Sequence, residues 1–148
     1  MYHYVSETKL KKKLQIFDHI SIYYLILGSY APVCLITLYN SSGVVIFLIV
    51  FLLAIIGTCL KLFFNTKIEL MSLTLYLVMG WLIVFDINTL FELITFKAKI
   101  LLISSGLSYT LGVFFYSFDR IKFFHSVWHI FVMTGSILHY LLILLYII

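Results

Sequence analysis

His3, His19, His125, His129 and His139 are the side chains in this 148-residue sequence best suited to hold a metal ion or move a proton near neutral pH. His125 and His129 are four residues apart. On a helix that spacing puts both imidazoles on one face, a turn apart, close enough to share one metal ion. The motif alone is a weak signal, and depth adds to it. His125 and His129 open the last apolar run of the chain, Asp18 and His19 open the first, and His3 precedes the basic flank before that first run. Under the topology derived below, four histidines and one carboxylate collect at one membrane level. Ionisable groups near a bilayer are costly and mark function by default. A third imidazole and a water would complete a tetrahedral zinc site with an open position, and such zinc lowers the pKa of its water to roughly 7. Asp18 could orient or deprotonate that water. The pair Asp18-His19 also reads as a helix N-cap and its neighbour. His139 lies about 15 Å deeper than His129 at a helical rise of 1.5 Å per residue. It is too far to share the metal and is expected to hydrogen-bond within the bundle. Asp86 and Glu92 are expected near the opposite interface, in solvent.

The elements that must carry these groups are apolar and long. A bilayer-spanning helix needs about 20 predominantly apolar residues. Five such runs occur, at 20–39, 44–64, 70–87, 100–118 and 127–148. The breaks are short and polar: Asn40-Ser41-Ser42-Gly43, Asn65-Thr66-Lys67, 88–99, and Asp119-Arg120-Ile121-Lys122. Short connections force antiparallel neighbours, so the fold class is all-α, a polytopic transmembrane bundle of about five helices in one domain (20–148). A basic segment (1–19) precedes it. In that segment Leu10, Leu14 and Phe17 share a helical face and lysines cover the rest, as in an interfacial amphipathic turn or a basic flank. Pro32 is expected to kink the first helix and free a carbonyl. Gly28, Gly57, Gly80, Gly106 and Gly112 are expected at close helix contacts.

Composition agrees with a lipid solvent. Hydrophobic residues make up 64% and charged residues 11% of the chain, under half the roughly 25% charged share of soluble domains. Mean hydropathy is +1.14. This excludes disorder outside the termini, and two cysteines inside apolar runs, Cys34 and Cys59, exclude a disulfide framework. The apolar run after Lys13 is too long for a signal peptide. The formal charge of +4 is a topology signal rather than one of nucleic-acid binding. With the N-terminus cytoplasmic, Lys9, Lys11, Lys12, Lys13, Lys61, Lys67, Arg120 and Lys122 fall on one side and only Lys97 and Lys99 on the other. That is a clear positive-inside bias, and it puts the C-terminus outside.

The residues Tyr2-His3, the stretch 14–32, Tyr76-Leu77-Val78-Met79-Gly80-Trp81 and Gly106-Leu107-Ser108-Tyr109-Thr110-Leu111-Gly112 together resemble the hemolysin III family. The stretch from His125 to His139, with Trp128, Gly135 and Ser136 between, is the most specific part of the resemblance. That family belongs with the progestin and adipoQ receptors, whose relatives include alkaline ceramidases. The resemblance implies a seven-helix protein of a bacterial plasma membrane with zinc near the cytoplasmic face. Carried over by position, the ligands are His3, His125 and His129, with Asp18 beside the zinc water. It also implies two helices ahead of His3, the second bearing a serine four positions before that histidine, so this chain would be the last five helices of a seven-helix design.

Three functions follow as expectations. The first is a zinc-dependent hydrolase of lipid amides or esters, with Asp18 as proton partner of the attacking water. The second is a pore-forming cytolysin, although no helix shows a clear polar stripe to line a channel. The third is a receptor-like membrane-homeostasis protein that senses lipids without turnover. Membrane lipids are the expected partners in each case.

Overall fold

The computed structural model describes residues 2–64, 69–118 and 123–148; the side chains of residues 2–9, 11, 12, 69, 70 and 125 fall outside that description. Helices α1 (Tyr2–Pro32), α2 (Gly43–Phe64), α3 (Glu69–Trp81), α4 (Ile87–Leu93), α5 (Phe96–Ser117) and α6 (Phe124–Tyr146) follow one another, and no strand occurs among the described residues. Five segments are long and apolar enough to cross a membrane: Lys13–Thr37, Gly43–Phe64, Met71–Leu93, Phe96–Ser117 and Ser126–Tyr146. The chain is a polytopic helix bundle of an integral membrane protein. Large apolar side chains such as Phe63, Phe85, Ile130 and Met133 cover its outer surface, as a lipid solvent permits.

The helices depart from the expected boundaries at three places, each with a local cause. The basic segment is not a separate turn: α1 is continuous from Tyr2 into the first span. Asp18 therefore lies inside a helix and is not an N-cap. At Pro32, which cannot donate to the carbonyl one turn back, the helix widens into a π-turn over Val33–Thr37, closed by Leu38 N–H donating to Val33 O at 3.0 Å. That widening is where the proline distortion predicted from sequence is absorbed.

The third place is the stretch 88–99, expected to be a loop. A 3₁₀ turn over Leu82–Asp86 runs into α4, and only Ile94 and Thr95 break the chain before α5. Ile87, Leu90 and Ile94 form an apolar stripe at helical spacing, and they pack with Ala98 and Leu142 in the second of two cores. Burial of that stripe outweighs the polar Asn88, Thr89 and Glu92 beside it. Thr95 then caps α5, its hydroxyl accepting from Ala98 N–H at 3.4 Å. Asp86 is partly exposed and also held by protein: its Oδ2 accepts from the hydroxyls of Ser41 (2.7 Å) and Ser42 (2.6 Å) and from Ser42 N–H (3.1 Å), tying the 3₁₀ turn to the α1–α2 connection. Glu92 is exposed, as expected.

The larger core holds Tyr23, Tyr30, Cys34, Val50, Ala54, Tyr76, Met79, Tyr116 and Trp128. The Tyr30 hydroxyl donates to Gly80 O at 2.9 Å and accepts from Ile83 N–H at 3.1 Å, which pins α1 at the α3–3₁₀ junction. In a medium without water such groups must find protein partners.

Candidate functional site

Successive residues of a helix turn by about 100°, so Asp18 and His19 cannot face the same way. His19 is turned inward and is 2% exposed. Its Nε2 lies 2.8 Å from the phenolic oxygen of Tyr116 on α5, and its carbonyl accepts from the Tyr76 hydroxyl on α3 at 2.8 Å. Tyr116 packs on Trp128 of α6, ring centroids 4.8 Å apart, and the Trp128 ring lies 4.3 Å from that of His129. A run of buried contacts from α1 through α5 to α6 thus fixes the rotation of the two helices that carry Asp18 and His129.

The result is a cavity of about 230 Å³ lined by Asp18 and Ser21 of α1 and by Trp128 and His129 of α6. Asp18 is half-buried and His129 exposed. Asp18 and His129, candidates from the sequence, are brought together. His3 and His125 lie on the described helices α1 and α6, but their side chains fall outside the described residues. Phe123, two residues before His125, has φ 75°, a left-handed conformation rare for a non-glycine residue, and it turns the chain into α6. Lys61 reads in the sequence as a flanking cation, yet it is fully buried in the last turn of α2. No spacing signal distinguishes it from Lys67.

Behind this cavity lies a larger one of about 350 Å³ between α1, α3, α5 and α6. The two share Ile22, Leu25, Trp128 and Val132 as wall. The larger cavity is almost wholly apolar, with Ser29, Ser105, Tyr109 and His139 among its few polar linings. His139 hydrogen-bonds inside the bundle, as expected: Nε2 lies 3.1 Å from Ser29 O and Nδ1 lies 3.4 Å from Ser105 Oγ.

Among the described residues, no three His, Cys, Asp or Glu side chains stand close enough to share a metal ion. The donors that are described suit zinc in kind: an imidazole and a carboxylate border one small cavity at one level.

The family model described as "Haemolysin-III related" matches residues 1–140. The chain is 37% identical to "Hemolysin-3" of Bacillus cereus over 145 residues, 98% of this chain and 66% of that protein. It is also 37% identical to the "Hemolysin-3 homolog" of Bacillus subtilis, over 97% of this chain and 68% of that one. It shares 32% identity with the human "Monocyte to macrophage differentiation factor", over 83% of this chain and 51% of the human protein. The chain therefore spans about two thirds of the length of its two bacterial relatives and half that of the human one. No solved structure matches it.

Proposed function

We propose that this chain, which belongs to the haemolysin III family, carries the site of a zinc-dependent hydrolase of lipid amides or esters. The observation that supports this most is that the two cavities are neighbours that share a wall. Asp18 and His129 border the small one, and the large apolar one lies on the other side of the wall formed by Ile22, Leu25, Trp128 and Val132. A lipid with a polar linkage at Asp18 and His129 and an acyl chain in the apolar space would match both. Ligand sites of this kind, apolar with a few placed polar groups, are the usual form.

His3, His125 and His129 would hold the zinc. Bound there, zinc supplies Lewis-acid polarisation of the scissile carbonyl and acidifies water. Asp18 receives a proton from the attacking water as its oxygen adds to the carbonyl carbon. It returns that proton to the leaving amine or alcohol as the C–N or C–O bond breaks. His19, Tyr116 and Trp128 position rather than react: they fix the faces that α1 and α6 present. The Asp18–His129 end lies at the cytoplasmic face in this reading, following the lysine distribution.

The test is metal analysis of the purified full chain beside turnover of a fluorogenic lipid amide and ester. Stoichiometric zinc is expected, lost in the His125→Ala, His129→Ala double variant. Asp18→Asn should keep zinc and lose about 10²–10⁴-fold in rate. A wild-type chain without zinc, or with turnover indifferent to these substitutions, would overturn the proposal.

A further inference from the structure

Helix α1 is longer than a bilayer needs. It runs without a break from Tyr2 to Pro32, and the π-turn carries it on to Thr37. The stretch from Asp18 to Thr37 rises roughly 30 Å, the thickness of the hydrocarbon layer, and the polar break 40–43 lies just beyond its far end. Positions 9–17 therefore stand in the next roughly 13 Å, through the headgroup layer and a little past it.

That segment has two faces. Leu10, Leu14 and Phe17 follow one another at helical spacing and are 58%, 59% and 73% exposed, so no described element covers the stripe they form. By helical register, positions 9, 12 and 13 share a second face next to it, and all three are lysine. Like charges at that spacing repel one another. Lys11 has Glu7 one turn before it, but no Asp or Glu of α1 stands three or four positions from Lys9, Lys12 or Lys13. Lys13 is exposed. The helix thus sets a concentrated positive face beside an uncovered apolar stripe, at the depth where a bilayer offers phosphate, glycerol and the first acyl carbons. Neither cavity takes part in this arrangement.

We infer that the basic end of α1 is a docking surface for anionic phospholipid headgroups, bound at the face of Lys9, Lys12 and Lys13. Charge selects an anionic headgroup over a zwitterionic one. Leu14 and Phe17 lie where the glycerol and upper acyl region of the same lipid would sit, and Leu10 continues the stripe outward. A basic flank that only sets topology acts by the number of its cations and their side of the membrane. It needs no continuous helix, no lysine spacing and no apolar stripe, and α1 supplies all three. The inference goes beyond the hydrolase reading and needs neither metal nor turnover.

The test places the full chain in phosphatidylcholine nanodiscs holding a trace of phosphatidylglycerol or phosphatidylcholine, each spin-labelled on the acyl chain. Electron spin resonance reads the fraction of each label held at the protein surface. Both faces of a nanodisc carry the same lipid, so the direction of insertion does not enter. The wild type should retain phosphatidylglycerol several-fold over phosphatidylcholine. A lysine beside an anionic surface contributes roughly fivefold in affinity, so the triple variant Lys9→Gln, Lys12→Gln, Lys13→Gln should lose most of that preference. The matching triple to arginine should keep it. The charge-matched triple Lys67→Gln, Arg120→Gln, Lys122→Gln should also keep most of it. Equal retention of the two lipids by the wild type overturns the inference and leaves the lysine face to an acidic protein partner; this arm stands even if a variant fails to fold. An unchanged preference in the α1 glutamine triple overturns it too. An equal loss in the two glutamine triples overturns the assignment to α1, because total charge alone would then account for the binding.

Discussion

On the α1–α2 seam a Cβ added at Gly57 would stand 2.5 Å from Cζ of Tyr23, and on the α5–α6 seam one at Gly135 would stand 3.0 Å from the Tyr109 ring. Along the α3 and α5 walls of the large cavity, at Gly80 and Gly106, the same Cβ would meet nothing within 4 Å. The sequence shows the same residue in all four places. In the first region glycine lets two backbones close over a buried ring, the usual use of small residues between membrane helices. In the second it keeps a wall smooth and a space open. The expectation that Gly28, Gly57, Gly80, Gly106 and Gly112 all mark close contacts holds for Gly57, and for Gly112 against Phe131 and Trp128. It fails for Gly28, Gly80 and Gly106. Glycine in an apolar helix signals that something must be kept small; it does not say whether a neighbour or an empty volume requires it.

The sharpest way to break this comparison is to enlarge a closed position. Tyr23 is 1% exposed and packs at a tilt against Tyr76, ring centroids 4.7 Å apart, so its ring cannot yield outward. Gly57→Leu should cost about 3 kcal/mol or more through overpacking, read as a large fall in thermal midpoint in detergent or as loss of folded protein. An unchanged midpoint would mean that the α1–α2 seam is no tighter than the cavity wall. A smaller effect is expected from Tyr116→Phe. It removes the 2.8 Å bond to His19 Nε2 while keeping the ring on Trp128. About 1 kcal/mol of stability should be lost. If Tyr116 and His19 orient Asp18 and His129 as described, the variant should also weaken zinc retention, which a purely structural bond would leave untouched.

These two regions also show what could be read from the sequence. Long apolar runs between short polar breaks specify five spans, because a bilayer offers the backbone no other partner. Polar residues mislead where an apolar stripe of helical spacing runs through them, as Leu90 and Ile94 do through 88–99. Residue spacing alone puts Asp18 and His129 at one end of the bundle and His139 further along α6, as their shared cavity and the Ser29 contact show. Spacing does not give rotation: nothing in Asp18-His19 states which of the two faces the core, since that depends on Tyr76 and Tyr116 arriving from α3 and α5. The partners of the cavity's hydroxyls were equally hidden. Tyr30 bonding Gly80 O and Tyr109 bonding Ser136 Oγ depend on how the folded helices meet.

The smallest effect, and the most discriminating, is expected at Gly106. In a helix interior glycine is less favourable than alanine by roughly 0.5–1 kcal/mol. Gly106→Ala adds a methyl into empty space, so it should be neutral or stabilising by up to that amount. Gly112→Ala, six residues further along α5, meets Phe131 Cβ at 3.2 Å and should gain less or lose. A pair of midpoints measured in the same detergent therefore tests whether the cavity wall is open in solution. Gly106→Leu extends the test from stability to binding. An added Cβ there meets nothing within 4 Å and Gly106 lines the large cavity with Trp81 and Trp128, so the fold should persist while the tryptophan response to a long-chain probe such as octadecanol falls. If Gly106→Leu instead unfolds the protein as Gly57→Leu does, the space between α3 and α5 is closed in the membrane, and the contrast between the two regions disappears.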